Sequence, residues 1–191
     1  MVTPRNGEPL IAATQDFITA SYLLSRKDIF YDRAQFTQIC SYLDDANTHI
    51  EIPSPAILKP VALWTGKQIF SVLLKPNKDC DIQINLQTKC RTFGKDEKHK
   101  RSGLPFGSTK TFGGSSIDNS MCPNDGWVVI HNSELLCGVV DKAIIGDGNK
   151  KSMFYVVLRD FGAKAAASCM NKISKLSARW LGNSISALIN L

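Results

Sequence analysis

Three prolines constrain the most informative stretch of this chain. Pro53, Pro55 and Pro60 stand ahead of Leu63-Trp64-Thr65-Gly66-Lys67-Gln68-Ile69-Phe70-Ser71-Val72-Leu73-Leu74. A proline pushes the residue before it toward extended backbone, which disfavours a helix start before Trp64. Thr65 then offers a side-chain oxygen to cap the following turn. Ile69, Val72 and Leu73 fall on one face at helical spacing. The prediction is an extended lead-in followed by a short, buried amphipathic helix.

The flanking segments extend this pattern. Pro4, Gly7 and Pro9 place a turn at the start, followed by an extended stretch from Glu8 to Ile11. A helix is predicted from about Thr14, with Phe17, Ile18, Tyr22, Leu23 and Leu24 as its apolar positions. Asp16 falls in its first turn and Arg26 and Lys27 in its last, as the helix dipole favours. A second helix is predicted over Asp32 to Leu43, closed by Asp44-Asp45-Ala46-Asn47. Downstream, Ile82, Ile84 and Leu86 alternate with polar residues and read as a strand. Residues 91–120 are rich in Gly, Ser, Thr and Lys, a composition that cannot bury enough apolar surface to offset ordering. A mobile loop is expected there.

Two further strands are predicted over Trp127–Ile130 and Glu134–Val140, joined by a tight turn at His131-Asn132-Ser133. The tract Gly146-Asp147-Gly148-Asn149-Lys150-Lys151 makes the best domain boundary. The apolar run Met153 to Leu158 shows no clear period and reads as strand or helix. Ala163 to Leu181 reads as a helix, with Ala166, Cys169, Met170, Ile173, Leu176 and Trp180 in one stripe. Lys164, Lys172, Lys175 and Arg179 fall on another face. The fold class is therefore α+β: mixed helices and short antiparallel strands, followed by a helical tail.

Composition narrows the function classes. A chain of 191 residues suits one domain, or one domain with part of another. No apolar run approaches the roughly 20 residues that cross a bilayer, and the first residues lack the apolar core of a signal peptide. A soluble intracellular protein with no membrane partner is expected. The net charge of +6, from 23 basic and 17 acidic residues, mildly favours polyanions. The six cysteines Cys40, Cys80, Cys90, Cys122, Cys137 and Cys169 are scattered without a C-x-x-C pair, which argues against zinc and a disulfide framework. Cys137 and Cys169 lie among apolar residues and read as small buried hydrophobes.

Catalytic constellations are lacking. The Gly146–Lys151 tract has neither phosphate-loop nor dinucleotide spacing. Asp44-Asp45, Asp79/Asp81 and Asp96-Glu97 sit in turns beside basic residues and read as solvated surface rather than a two-metal centre. His49, His99 and His131 lie in predicted loops, and no serine occupies a nucleophile elbow. No catalytic residue, metal ligand or cofactor is assigned. Lys95 to Arg101 reads as a solvated loop, or as a nuclear-localisation or RNA-contacting tract. Lys172, Lys175 and Arg179 fit a nucleic-acid face or a plain solvated one. Lys142, after Val139-Val140-Asp141, is the sharper candidate: a lysine ending an apolar strand before a glycine loop could project toward an anion.

Four stretches carry a family resemblance: VTPRNGEPLIAATQDFITASYLLSRKDIFYDR (2–33), ILKPVALWTGKQIFSVLL (57–74), NSELLCGVVDKAIIG (132–146) and FYVVLRDFGAKAAASCMNKISKLSARWLGN (154–183). In this order they resemble the largest subunit of eukaryotic DNA-directed RNA polymerases, RNA polymerase III in particular and a plant form most of all. The resemblance implies that residues 1–148 form the pore region and residues 149–191 begin the funnel region. The family's sequence is left behind after Asn183, and residues 91–120 also diverge. Lys142 then corresponds to a basic residue lining the passage for nucleotides and the RNA 3′ end. The family's Asn-Ala-Asp-Phe-Asp-Gly-Asp motif, which holds the catalytic metal, is absent here. The implied setting is transcription in the nucleus, with other polymerase subunits, especially the second-largest, and template DNA and RNA as partners. Magnesium and zinc belong elsewhere in such a polymerase. The chain reads as a fragment of it, opened at an internal Met and inactive alone. Two alternatives stand beside this: a stand-alone basic nucleic-acid-binding module, or a fragment that interferes with assembly through exposed apolar faces.

Overall fold

The computed structural model describes residues 2–43, 48–90, 110–112, 115–117 and 125–189. The chain is α+β, with short antiparallel sheets and a long C-terminal helix, as the sequence predicts.

The N-terminal turn is closed by Gly7 N–H donating to Thr3 O at 2.9 Å, and Val2 bridges Pro9. Helix α1 covers Asp16–Leu24, two residues later than expected, because Gln15 takes φ 43° and ψ −114° and cannot extend it. Its buried residues are Ala20, Ser21 and Leu24, while Phe17, Ile18 and Tyr22 are only partly covered. The predicted stripe is thus rotated toward the small side chains, which permit close packing against the C-terminal helix. Arg26 and Lys27 lie beyond the helix end, where Ser25 Oγ donates to Ser21 O at 2.7 Å.

Strand β1 (Phe30–Tyr31) leads into helix α2 (Arg33–Ser41). Asp32 caps α2 instead of opening it: Gln35 N–H donates to its carboxylate at 2.7 Å, and the Gln35 side chain accepts from Asp32 N–H. This reciprocal pair satisfies two donors that a helix start leaves without partners. The expected closing residues 44–47 lie outside the described ones. Strand β2 (Trp64–Thr65) pairs with β1, a pairing that the sequence did not announce.

Helix α3 (Gly66–Leu74) begins where the prolines and Thr65 place it, with a second capping box between Thr65 and Gln68. It is the core helix, burying Ile69, Phe70, Val72, Leu73 and Leu74. Its first residue must be glycine: a Cβ on Gly66 would stand 1.8 Å from Leu24 O. The end of α1 and the start of α3 thus meet backbone to backbone. Phe36 of α2 stacks on Trp64 with ring centroids 5.7 Å apart, and the Trp64 indole donates to Pro53 O at 2.8 Å.

Strand β3 is Leu86–Lys89 and pairs with β6 (Trp127–His131), which pairs in turn with β7 (Glu134–Cys137). The expected strand over Ile82–Leu86 is therefore displaced toward the C-terminus. Ser133 explains the shift: its N–H donates to Ile84 O, and its hydroxyl accepts from Ile84 N–H and donates to Ile82 O. One side chain stands in for a ladder there. The turn is one residue shorter than expected: His131 belongs to β6, and only Asn132 and Ser133 turn, both at positive φ (51° and 66°). That is the twist a two-residue hairpin needs. Strand β7 ends at Cys137 rather than Val140, because Gly138 turns out of the ladder at φ +92°.

Of the expected loop 91–120, residues 91–109, 113–114 and 118–120 lie outside the described ones. Strands β4 (Lys110–Phe112) and β5 (Ser115–Ile117), within that span, form an antiparallel pair.

Helix α4 is the short Lys142–Ile145. Helix α5 runs Met153–Ile189 and resolves the ambiguous segment 153–158 as helix. It is broken at Gly162 (φ +84°, ψ 176°), so residues 153–161 and 163–189 are separate helical runs. Of the predicted stripe, Met170 and Trp180 are only partly covered, while Ala166, Cys169, Ile173 and Leu176 are buried. They join residues of α1, α2, α3, β6 and β7 in one apolar core, so residues on both sides of the Gly146–Lys151 tract share it. Near the far end of α5, Trp180 hydrogen-bonds Tyr31, whose phenol burial raises above its ordinary pKa. Asn183 donates to the Tyr42 hydroxyl, and Arg179 donates to Tyr42 O at 3.4 Å.

Candidate functional site

The segment leaving β7 is fixed residue by residue from distant parts of the chain. Lys67, in the first turn of α3, sends its ammonium to Asp125 Oδ2 and to Gly138 O, each at 2.7 Å. Asp125 returns the contact, its Oδ1 accepting from Gly138 N–H at 3.0 Å. The side chains of this ion pair are only 12% and 10% exposed. Both backbone groups of Gly138 are thus held by one buried salt bridge. Only glycine serves here, since a Cβ would stand 2.4 Å from Trp127 O at an already positive φ.

The next residues are held in the same way. Val140 N–H donates to the buried Ser25 hydroxyl at 2.8 Å, tying the segment to the end of α1. Asp141 is buried and caps α4, accepting from Ala143 N–H at 2.8 Å, while the Cys90 thiol donates to its other oxygen at 2.9 Å. On the far side, Ala13 N–H donates to Ile145 O at 3.0 Å and Gly148 N–H to Pro9 O at 3.3 Å. Asn149 Nδ2 donates to Ala143 O at 2.7 Å.

Lys142 stands on this braced base. It opens α4 instead of ending a strand, because the chain has already turned at Gly138 and been capped at Asp141. Its ammonium is half exposed and lies 3.6 Å from the exposed Asp147 carboxylate. An exposed pair of this kind is worth at most about 1 kcal/mol, so an incoming anion can displace it. Gly146 closes under it, with N–H donating to Lys142 O at 2.9 Å. The arrangement can hold a positive charge at a fixed place on the surface. It offers no nucleophile–base pair.

The other candidates do not converge here. His131 is exposed at the end of the central strand β6, and His49 lends its carbonyl to Asn77 at 3.1 Å. His99, Lys95–Arg101, Asp44-Asp45, Asp96-Glu97 and Cys122 lie outside the described residues. Among the described residues, no group of three or more His, Cys, Asp or Glu is placed to hold a metal ion. Cys137 and Cys169 are buried as read, and Cys40, Cys80, Cys90, Cys137 and Cys169 are all thiols. No helix among the described residues is long and apolar enough to cross a membrane.

The residue that sequence reasoning missed is Lys67. The signal was present: a lysine in a helix's first turn opposes the dipole, and such a local conflict calls for a carboxylate partner. Asp125 lies 58 residues away, beyond the reach of any local pattern.

Comparison with known proteins supplies the family. The family model described as RNA polymerase Rpb1, domain 3, matches residues 1–190. The chain is 52% identical over 183 residues to a protein of Schizosaccharomyces pombe named DNA-directed RNA polymerase III subunit rpc1, covering 96% of this chain and 12% of that protein. Its identity is 50% over 183 residues to the RPC1 subunit of Saccharomyces cerevisiae (96% and 11% covered) and 44% over 187 residues to that of Homo sapiens (96% and 12% covered). The chain thus spans 11–12% of the length of these relatives. Matched along nearly its whole length, the chain belongs to the family RNA polymerase Rpb1, domain 3.

Proposed function

We propose that this chain serves as the pore region, with the start of the funnel region, of the largest subunit of an RNA polymerase III. Residues 1–148 form the wall of a passage for incoming nucleotides and for the RNA 3′ end, and residues 149–191 begin the funnel. The names of the relatives supply the polymerase, and the braced Lys142 carries the pore reading. A polyanion moving through a confined channel gains from positive charge on its wall, provided that the charge is held in place. The bonds at Gly138, Val140 and Asp141 provide that hold. The setting is nuclear transcription, with the second-largest subunit, template DNA and RNA as partners. The plant-like character of the four motifs belongs to this proposal and rests on their wording alone.

Polymerase chemistry is assigned to residues outside this chain; its own contribution is shape and charge. Leu58, Val61, Leu10 and Ile11 are large apolar side chains at the surface, which suits a segment that meets other parts of an assembly.

The test is Lys142→Ala in a reconstituted polymerase III whose largest subunit carries this segment. The expected result is a rise of several-fold in the KM for nucleotides, or slower recovery of backtracked complexes, with Lys142→Arg close to wild type. Wild-type behaviour of Lys142→Ala in both assays would overturn the reading.

A further inference from the structure

Beyond the Lys142 site, one face of α5 has a composition that the pore reading does not use. From residue 163 to 184 the chain contains Lys164, Lys172, Lys175 and Arg179 but no Asp or Glu. At 3.6 residues per turn these four cations fall within about 80° of arc, and Lys164 to Arg179 spans about 22 Å of helix. This is the outward face: Lys164 and Arg179 are exposed, Lys172 is half-exposed, and Ala166, Cys169, Ile173 and Leu176 fill the opposite side. Lys175 is partnered within the fold and is not counted. Arg179 keeps its charge while donating to Tyr42 O.

We infer that this face is a sequence-independent contact surface for single-stranded RNA, reading phosphates rather than bases. Charge gives the sign of the partner, and the residues between the cations give its class. Ser168, exposed on the same arc, and Asn171, exposed beside it, add neutral donors of the kind that contact phosphate oxygens. The arc carries no aromatic or large apolar side chain. Protein–protein interfaces draw their binding energy from such anchors, and the arc of cations itself supplies none; the aromatic pocket of Tyr31, Tyr42 and Trp180 lies beside it at Arg179. A phosphate backbone needs no such anchor. The face is also rigid, because the opposite side of the helix is core and its far end is tied to Tyr31 and Tyr42.

The inference stands apart from the Lys142 reading, since Lys142 is not on this helix and either can fail alone. The test is binding of a fluorescent 20-nucleotide oligouridylate to the 191-residue chain between 50 and 200 mM salt. Three phosphate contacts predict a slope of log K against log salt of about −2, from roughly −0.7 per contact on a single strand. Lys164→Gln with Lys172→Gln is expected to flatten the slope by about 1.4. Lys164→Arg with Lys172→Arg retains it. Lys27→Gln with Lys78→Gln, which removes the same charge off α5, also retains it. Equal loss in that control would overturn the inference in favour of net charge alone. Absence of RNA binding, with polyglutamate bound through the same lysines, would overturn it in favour of an acidic protein partner.

Discussion

Replacing Lys67 by Met tests whether the buried ion pair holds the fold at Gly138. The substitution keeps most of the side-chain volume and removes the ammonium. Asp125 is then left about one-tenth exposed with, among the described residues, the Gly138 N–H alone on its carboxylate, and Gly138 O loses the lysine donor that binds it. Removing one partner of a buried pair typically costs about 3–5 kcal/mol, most of it the penalty of the stranded charge. The whole stability of a domain is about 5–15 kcal/mol, so the variant should unfold at a markedly lower urea midpoint. Asp125→Asn should cost a comparable amount by stranding the lysine. The combined variant strands no charge, so its loss should fall short of the sum of the single losses by more than about 1 kcal/mol. Urea titration followed by tryptophan fluorescence measures all four chains. A Lys67→Met loss below about 1 kcal/mol, or strict additivity in the double variant, would refute this account.

Other expectations follow from single features. The Ser177 hydroxyl is buried with no hydrogen-bond partner among the described residues, so Ser177→Ala should stabilise the chain by about 1 kcal/mol in the same titration. Gly162→Ala places a side chain at φ +84°, where only glycine is at ease, and should cost about 1–3 kcal/mol although open space surrounds the site. Burial pushes the Cys40 and Cys169 thiols up to about 12 from an ordinary 9.0. Because the folded state keeps these protons longer than the unfolded state does, their contribution is complete below pH 9 and is lost as pH rises from 9 toward 12. Maleimide at pH 8 should therefore modify the half-exposed Cys80 well before either of them, and mass spectrometry of the labelled peptides checks the order.

The sequence announced those elements whose causes are local. The helix after Thr65 starts where its cap and the prolines require, and a turn falls where polar Asn132 and Ser133 interrupt two apolar runs. Misreadings arose where a distant partner decides. The buried face of α1 is set by its fit against α5, not by its own apolar period. Strand β3 begins late because Ser133, from the other side of a long insertion, takes over the hydrogen bonds of Ile82 and Ile84. At the candidate site, Lys142 was visible as an isolated cation beside a glycine tract. Its mounting was not, because Lys67, Asp125, Gly138 and Ser25 meet only in three dimensions.

The packing of α1 against α5 also bears on how the chain is made. Helix α1, with Leu24 in the shared core, finds cover from α5, well over a hundred positions later. A ribosome adding about 5–20 residues per second leaves that first helix without its partner for roughly 10–30 s. During this interval the face of α1 that α5 will cover stays open to solvent or to a chaperone. Completion of this core is thus timed by the emergence of α5.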